Sequence, residues 1–269
     1  MTTDRFSRQA FLGEHSQDAI EAATVGIAGL GGGGSHFVQQ LAHVGFLDFV
    51  IYDEDTADDS NLNNLVTATE IDARNFVPKI ELARRRILSI RSDAQVEMIP
   101  KRWQDQPEPL RRCDIVVGAV DGFAERRELE IACRRYMIPL VDIGMDVHQA
   151  ADEPPRMGGQ VILSMPGSPC MTCLGFLNDA ALAREAERYG AAGPRPQVVW
   201  PNGILASSAI GVAINLLTDW TKTLRGPVYM LYNGKDGTVT PHPRLVHYHD
   251  GDCPHFPPDQ VGDLVFKGL

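Results

Sequence analysis

A glycine-rich turn between two apolar runs constrains the fold of this chain more than any other feature. The apolar run Thr24–Ala28 leads into a GLGGGG sequence that begins at Gly29 and ends at Gly34. Together with Gly31, these glycines fit the spacing G-x-G-x-x-G, and a helical pattern follows from Ser35. Glycine adopts positive φ without steric cost and lets a phosphate approach the backbone closely. The stretch therefore predicts a strand, a phosphate-binding turn and a helix whose N-terminus faces an anion.

An acidic residue follows the second predicted strand. The run Leu47–Tyr52 is apolar on both faces, as a parallel strand covered by helices should be. Asp53 comes next, about 20 residues after the last glycine of the turn, where a carboxylate can accept hydrogen bonds from a ribose. Asp121 closes a later predicted strand, so its side chain is expected on the same side of the sheet as the turn. The sequence thus predicts a nucleotide site at the carboxyl ends of the strands.

Periodicity and turn residues predict the other elements. Helices are expected over residues 4–24, 35–44, 125–136 and 203–220, with one more starting at Lys79 after Pro78. Strands are expected over residues 96–100, 113–120, 139–144 and 159–165, with two more within 228–240. This alternation favours an α/β fold, namely a Rossmann-like sheet with helices on both faces. The later strands predict a mixed or antiparallel C-terminal extension.

Composition excludes several classes of function. The formal net charge is −10 and the pI is near 5.2, which argues against sequence-independent nucleic-acid binding. No apolar run approaches the roughly 20 residues that a membrane span requires, and the first residues lack the apolar core of a signal peptide. The five cysteines make a poor disulfide framework and suit a reducing compartment. We therefore expect a soluble cytoplasmic protein without nucleic-acid or membrane partners.

A series of short motifs follows one another at compatible spacing along most of the chain. They are Arg5-Phe6-Ser7-Arg8-Gln9, Gly29 to Gly34, Tyr52-Asp53-Glu54-Asp55, Ser60-Asn61-Leu62-Asn63, Val77-Pro78-Lys79, Asp121 to Arg126, and Pro169-Cys170-x-x-Cys173. In this order they resemble the ThiF/MoeB/HesA family, the bacterial relatives of ubiquitin-activating enzymes. The resemblance covers roughly residues 5–255. The glycine turn alone fits any dinucleotide-binding protein, whereas the ordered set is specific.

The resemblance implies an adenylyltransferase. Such an enzyme uses Mg-ATP to adenylate the C-terminal carboxylate of a ubiquitin-like or sulfur-carrier protein that ends in Gly-Gly, and it releases pyrophosphate. A carboxylate is a weak nucleophile that approaches a polyanion, so the site must neutralise charge around the phosphates. By resemblance, Lys79 contacts the phosphates, Asp121 holds Mg²⁺ and Asp53 binds the ribose. Arg8 reaches a phosphate across the interface of a homodimer.

The nucleotide-binding residues that the resemblance implies are Gly29, Gly31, Gly32, Gly34, Asp53, Asp55, Asn61, Asn64, Lys79 and Asp121. Taken singly, each of these residue types also fits a purely structural role, such as a lysine on a helix surface. One position departs from the family pattern, because many members carry an arginine where this chain has Asn64. An asparagine cannot neutralise phosphate charge. Either Arg5 or Arg74 supplies that charge, or the step is slowed or lost, or the subgroup is built differently.

The cysteines predict a structural zinc site. Cys170-x-x-Cys173 in a turn of proline and glycine is half of a tetrahedral zinc site. The family's second half is another C-x-x-C near the C-terminus, but here only Cys253 is present and Phe256 stands at the expected fourth position. We predict a Cys3His site completed by His255, or less favourably by His249. The alternative is an incomplete, metal-free turn.

Family members that form a thioester keep a cysteine in or beside a mobile loop before the late helix. In this chain that loop, about residues 178–202, has none. Cys113 and Cys133 are predicted to be ordinary buried residues. The sequence therefore favours adenylation without an obligatory enzyme thioester.

We expect one ThiF-type domain over residues 1–269. Residues 1–23 would form an N-terminal helix and dimer arm, residues 24–145 the nucleotide-binding half, and residues 146–269 the zinc turn, the mobile loop and a closing sheet.

Three other functions remain open at this stage. An NAD(P)-dependent oxidoreductase accounts for the glycine turn and Asp53 but for none of the later motifs. A degenerate, non-catalytic dimeric scaffold is suggested by Asn64. Adenylation of a small molecule or of an RNA base carbonyl occurs in some relatives, although the acidic balance disfavours a large RNA surface.

Overall fold

The computed structural model describes residues 5–148, 154–180, 182–183, 196–218, 220–221, 226–248, 253–257 and 262. The helices are α1 (Ser16–Ala22), α2 (Gly32–Val44), α3 (Glu70–Arg74), α4 (Lys79–Ile90), α5 (Phe123–Arg135) and α6 (Val199–Leu217). The strands are β1 (Thr24–Ala28), β2 (Asp48–Tyr52), β3 (Gln95–Ile99), β4 (Ile115–Gly118), β5 (Leu140–His148), β6 (Arg156–Ser164), β7 (Val228–Asn233) and β8 (Thr238–Pro241). Short 3-10 helices cover Ser7–Leu12, Asp59–Asn61, Trp103–Asp105, Glu108–Arg112 and Pro243–His247.

The strands form one sheet in the order β3-β2-β1-β4-β5-β6-β7-β8. Strands β1 to β5 pair in parallel, with Val25 opposite Phe49 on one side and opposite Ile115 on the other. Strands β6, β7 and β8 continue the sheet in antiparallel pairing. The chain order reverses between β1 and β4, and a crevice opens at the carboxyl ends of such strands. The predicted α/β sheet with an antiparallel C-terminal extension is confirmed.

Helices cover both faces of the sheet, as predicted. On one face, α1, α2, α4 and α6 bury side chains such as Ile20, Phe37, Ile87 and Leu205 against the strands. On the other face, α5 and the surrounding loops contribute Leu129, and the sheet also contacts Trp103, Leu110 and Met171 there. Both layers exclude water from the parallel strands, which explains why those strands are apolar on both sides.

The ends of several elements differ from the sequence prediction. The helix expected over residues 4–24 is interrupted at Gly13, whose φ of +121° ends the 3-10 helix before α1 begins. Helix α2 begins at Gly32, three residues before the predicted start, because its first turn includes glycines that pack closely against neighbouring groups. Helix α3 was not predicted; it starts at a capping box between Thr69 and Asp72.

Helix α6 also corrects an expectation. By length and composition it is apolar enough to cross a membrane, with a mean hydropathy of 1.3, although the sequence had suggested no such run. Half of that stretch is buried inside the fold, where α6 packs against α2, β5 and β6. The arrangement is that of a core helix, and its small residues allow the close approach to α2.

Candidate active site

The glycine turn is fitted closely to the strand beside it. Gly29 has a φ of +85°, and a Cβ there would lie 2.7 Å from the carbonyl oxygen of Ala119. A Cβ on Gly34 would lie 1.9 Å from the carbonyl oxygen of Gly29. At Gly31, by contrast, a Cβ would meet nothing within 4 Å. Gly29 and Gly34 are thus required by packing, whereas Gly31 faces open space from which a ligand can approach the backbone.

A cleft of about 1650 Å³ lies at the carboxyl ends of the parallel strands, with the glycine turn in its wall. The first N–H groups of α2 have no side-chain cap, which leaves them available to an anion. The cleft brings together nearly all the predicted nucleotide-binding residues, namely Gly29, Gly31, Gly32, Asp53, Asp55, Asn61, Asn64, Lys79 and Asp121. Gly34 is buried behind the turn instead, where it packs against Gly29.

Asp53 is held in a fixed orientation beside the turn. Its Oδ2 accepts a hydrogen bond of 2.6 Å from the N–H of Leu30, and its Oδ1 accepts one of 2.9 Å from the N–H of Asp55. Burial raises the pKa of Asp53, while the charge of Lys79 and the two backbone donors oppose that rise. Each carboxylate oxygen has a second lone pair, so Asp53 can still accept hydrogen bonds from a ligand's hydroxyl groups.

Lys79 is the first residue of α4 and extends into the same cleft. Its Nζ lies 2.8 Å from Oδ2 of Asp55, and its side chain is only 13% exposed. Burial alone would lower the pKa of Lys79, but the negative charges of Asp53, Asp55 and Asp121 raise it above its ordinary value. The ammonium is therefore charged at neutral pH and lies among three carboxylates. It can neutralise a phosphate that enters between them.

Gln197 was missed by sequence reasoning. It lies before α6, inside the loop predicted as mobile, and it lines the cleft. Its Nε2 donates to Oδ1 of Asp121 over 3.3 Å, and its Oε1 accepts a hydrogen bond of 3.1 Å from Asn64. Most of that loop lies outside the described residues, and no motif singled out this glutamine.

The predicted arginines, Arg5, Arg8 and Arg74, do not line the cleft of a single chain. Arg8 is exposed on the first 3-10 helix and does not line the cleft, so its role across a dimer interface stays a prediction. Arg5 donates to the backbone carbonyl of Ile90 over 3.3 Å. Arg74 pairs with Glu70 in solvent at 3.1 Å. Neither of the two arginines proposed to replace the charge missing at Asn64 lies at the site.

Three other cations line the cleft, namely Lys101, Arg102 and Arg126. Arg126 is buried and fully engaged: it forms an ion pair with Asp142 and donates to the carbonyl oxygens of Val120 and Ile143. Burial raises the pKa of Asp142 to about 6, although Arg126 opposes that rise. Arg126 thus has a structural role, while Lys101 and Arg102 are exposed.

A second cluster lies outside the residues that line the cleft. Cys170, Cys173, Cys253 and His255 place three sulfur atoms and Nδ1 within 4.8 Å of one another. Neighbouring pairs include Cys170 Sγ and Cys173 Sγ at 3.6 Å, and Cys173 Sγ and His255 Nδ1 at 3.3 Å. A tetrahedral zinc ion separates its sulfur and nitrogen ligands by about 3.5–3.8 Å. The donor set and its spacing therefore fit zinc, with His255 as the fourth ligand; His249 lies outside the described residues.

Buried polar groups of α5 and β6 hold the cysteine turn in place. Glu130, whose pKa is raised by burial, accepts hydrogen bonds from the hydroxyl of Ser164 and from the N–H of Met171 over 2.8 Å. Arg134 donates to Ser164 and to the carbonyl of Pro169 over 2.9 and 3.1 Å. These bonds tie α5 and β6 to the turn that carries the first two cysteines.

The remaining two cysteines are core residues, as predicted. Cys113 is 5% exposed and Cys133 is 1% exposed. Burial raises the pKa of Cys113 to about 12 and places the pKa of Cys133 well above its ordinary value. Neither thiol is accessible or ionised at neutral pH, and both properties are needed for a nucleophile.

The sequence matches the ThiF family over residues 5–255. The SAMP-activating enzyme E1 of Haloferax volcanii is 32% identical over 176 residues, which make up 64% of this chain and 61% of the relative. The sulfur carrier protein ThiS adenylyltransferase of Bacillus subtilis is 29% identical over 230 residues, or 83% of this chain and 62% of the relative. This chain thus spans little more than three fifths of the length of either relative.

A third relative is matched over most of its length. The molybdopterin-synthase adenylyltransferase of Escherichia coli is 28% identical over 233 residues, or 84% of this chain and 86% of that protein. Among solved structures, Escherichia coli MccB with ATP superposes with a TM-score of 0.70 at 20% identity, covering 90% of this chain and 72% of that one. That likeness shows the fold. The family match, which spans nearly the whole chain and agrees with its ordered motifs, shows that the protein belongs to the ThiF family.

Proposed function

We propose that the protein adenylates the C-terminal carboxylate of a ubiquitin-like or sulfur-carrier protein, using Mg-ATP and releasing pyrophosphate. The observation that carries the proposal is the convergence of Asp53, Lys79 and Asp121 around an open glycine turn in one cleft. The names of the relatives support it, since two of them are adenylyltransferases of ThiS and of molybdopterin synthase. A solved structure of the MccB fold contains ATP.

Each group in the cleft has a task in this reaction. The uncapped N–H groups of α2 and the charged Lys79 offset the negative charge of the triphosphate as the carboxylate approaches its α-phosphate. Asp53 accepts hydrogen bonds from the ribose. Asp121, an exposed carboxylate at the mouth of the cleft, fits Mg²⁺, which prefers oxygen ligands and keeps several waters. When bound, Mg²⁺ supplies charge neutralisation at the phosphates.

The cleft also has room for the tail of a protein substrate. Beyond Asp121 it is lined by Phe123, Met145 and Phe176, and the rings of Phe123 and Phe176 are in contact at 5.5 Å between centroids. An apolar wall of this kind suits an extended peptide more than a second charged nucleotide. A tail that ends in Gly-Gly is narrow enough to bring its carboxylate to the phosphates.

The proposal has four further parts. The enzyme works as a homodimer in which Arg8 reaches the partner's cleft. Zinc bound by Cys170, Cys173, Cys253 and His255 has a structural role. The reaction takes place in the cytoplasm, where ATP is available and thiols stay reduced. No obligatory thioester forms, because Cys113 and Cys133 are buried and the other three cysteines make up the metal cluster.

Calorimetric titration with Mg-ATP and, separately, with NAD(H) tests the nucleotide. We expect Mg-ATP to bind wild type and to bind Asp121→Ala more weakly, while Asp18→Ala, which removes an exposed aspartate on α1, behaves as wild type. Pyrophosphate exchange that depends on a protein ending in Gly-Gly then tests the reaction. Binding of NAD(H) alone would favour an oxidoreductase, and binding of neither nucleotide would favour a non-catalytic scaffold.

The thioester is tested separately. We expect no reducible covalent adduct with the partner protein in wild type. An adduct that persists in Cys170→Ser and Cys173→Ser and is lost in Cys133→Ser would contradict this part of the proposal while leaving adenylation intact.

A further inference from the structure

Gln197 connects the two walls of the cleft. One wall is the end of β4, where Asp121 lies, and the other is the polar segment after β2, where Asn64 lies. Gln197 is within hydrogen-bond distance of both, with its Nε2 3.3 Å from Oδ1 of Asp121 and its Oε1 3.1 Å from Nδ2 of Asn64. These three side chains form a chain of hydrogen bonds across the mouth of the cleft.

The chain of hydrogen bonds has only one self-consistent direction. An ionised carboxylate is an acceptor only, so Asp121 requires the donor end of the glutamine amide, Nε2. The acceptor end, Oε1, then faces Asn64, which must present its own donor, Nδ2. Asp121 thus sets the orientation of the Gln197 amide, and Asn64 stabilises that orientation by donating to Oε1.

Gln197 has further contacts with the segment after β2 and with the glycine turn. Its carbonyl oxygen accepts a hydrogen bond of 2.9 Å from Asn63. The side chain also packs on the glycine turn: a Cβ on Gly32 would lie 3.1 Å from Oε1 of Gln197 and 2.3 Å from Nδ2 of the buried Asn202. Gly32 was predicted to contact the nucleotide, but the structure gives it this additional task. Gln197 is therefore held in place by groups other than Asp121.

We propose that Gln197 is a positioning residue for Asp121, and that Asn64 stabilises the orientation of the Gln197 amide that Asp121 requires. By donating to Oδ1, Gln197 restrains the carboxylate that would hold the metal of Mg-ATP. Hydrogen bonds of this kind to a ligating carboxylate typically change metal affinity by about 10–100-fold. This inference rests on the proposed function, because it needs Asp121 to hold Mg²⁺.

The test separates the metal's contribution from the rest of nucleotide binding. Calorimetry gives the dissociation constant of ATP with a chelator and with Mg²⁺, and the first divided by the second measures how much the metal strengthens binding. We expect Gln197→Met, which keeps the size of the side chain and removes both hydrogen bonds, to lower this ratio about tenfold. The affinity for Mg-free ATP should stay within about twofold of wild type. Asn64→Ala should lower the ratio in the same direction and by less.

Two controls identify the route of the effect. In an Asp121→Ala background, Gln197→Met should not lower the ratio further, because Gln197 acts through Asp121. Gln40→Met changes a glutamine that also joins two elements, accepting a hydrogen bond of 3.0 Å from Ser207 on α6, but that lies outside the cleft. It should leave the ratio unchanged. Thermal unfolding of each variant confirms that it is folded.

Several results would overturn the inference. An unchanged ratio in Gln197→Met, equal weakening with and without Mg²⁺, or a further loss in the Asp121→Ala background would each show that Gln197 does not position Asp121. In those cases wild type still binds Mg-ATP and the proposed function stands. If neither wild type nor any variant binds Mg-ATP, the proposed function fails and the positioning role falls with it.

Discussion

The nucleotide cleft and the cysteine cluster are built in opposite ways. In the cleft, Asp53 and Asp121 follow strands of the parallel sheet, and Asp53 accepts hydrogen bonds from the N–H groups of Leu30 and Asp55. In the cluster, Cys170 and Cys173 share one turn, but Cys253 comes from a segment 80 residues further along the chain. Most of the cleft's polar groups are therefore in place once the parallel half of the sheet has formed, and the segment before α6 adds Gln197. The cluster, by contrast, depends on a tail that folds back over the turn.

The two regions also differ in how their charges are balanced. In the cleft, Lys79 lies among three carboxylates and pairs directly with Asp55. In the cluster, three thiols and an imidazole meet with no cation among the described residues that contact their sulfur atoms. Thiolates at that spacing need a metal ion to bind them. The fold places the polar groups of the cleft, whereas a metal ion at the cluster would help to hold the C-terminal segment on the fold.

The largest effect is expected at the glycine turn. Gly34→Ala should lower the free energy of unfolding by about 3 kcal/mol or more, because its Cβ would lie 1.9 Å from the backbone oxygen of Gly29. Denaturant unfolding measures this. Gly31→Ala is the matched control: it meets open space, so stability should change by about 0.5 kcal/mol or less while nucleotide affinity falls. Equal stability of the two variants would show that the turn is not packed as described.

Removal of a zinc ligand comes next. Cys253→Ser should reduce the metal content from one zinc per chain to none. The lost stabilisation is about 2.7 kcal/mol at a zinc concentration 100-fold above the dissociation constant. Metal analysis and unfolding with and without a chelator check both statements. Mg-ATP affinity should stay within about twofold, since the cluster lies outside the cleft. If nucleotide binding is lost together with zinc, the two sites are not independent.

Substitution of Asp72 on α3 is expected to have a smaller, pH-dependent effect on stability. Hydrogen bonds of 2.8 and 2.7 Å from Arg85, with others from Thr69, hold the pKa of Asp72 well below its usual range. Asp72→Asn should cost about 2 kcal/mol at pH 7. Because the pKa is lowered in the folded state, this stabilisation is present above pH ~4 and is lost as the pH falls further. The difference between wild type and variant should therefore shrink in acid.

The control for Asp72 is Glu70→Gln on the same short helix. It breaks an ion pair with Arg74 in which both side chains are about three quarters exposed. Such pairs contribute about 0.5 kcal/mol or less, so this variant should unfold like wild type at every pH. A Glu70→Gln effect as large as that of Asp72→Asn would contradict the assignment of the stabilisation to Asp72.

The smallest effect is expected at Phe256, which stands where the family pattern has a cysteine. Its ring lies under the guanidinium of Arg134, 5.3 Å from the ring centroid. Phe256→Leu should lower stability by about 0.5–1 kcal/mol through loss of this cation–π contact. Zinc content should be unchanged, because the fourth ligand is His255. Loss of zinc in this variant would show that the ring is needed to close the cluster.

Much of the cleft was predictable because its residues follow local patterns. Gly29, Gly31 and Asp53 were found from the spacing of a turn and two strands. The proline before Lys79 predicted that it begins a helix, and the family resemblance implied its place in the site. Parallel strands place such residues together wherever they lie in the sequence. His255 was also predicted, from the chemistry of a zinc ligand set that lacked a fourth cysteine.

The rest depended on contacts that no local pattern encodes. Gln197 lies in a segment of weak periodicity, and its role comes from Asn64 and Asp121, which are far from it in sequence. The early start of α2 has a similar cause. Glycine is a poor helix former, yet Gly33 lies within α2. A Cβ there would lie 2.7 Å from Ile143, so tertiary packing accounts for the glycine at this position.

The separation of the cysteines along the chain sets an order of assembly during synthesis. Cys253 leaves the ribosome 80 residues after Cys173, a delay of about 4–16 s at ordinary rates of translation. The βαβ units of the parallel half are by then complete and can fold from their N-terminal end. Glu130 and Arg134 hold the turn that carries Cys170 and Cys173, but the site lacks Cys253 and His255 until the tail has been synthesised. Zinc binding at the cluster, as proposed above, would therefore follow the synthesis and docking of the downstream chain.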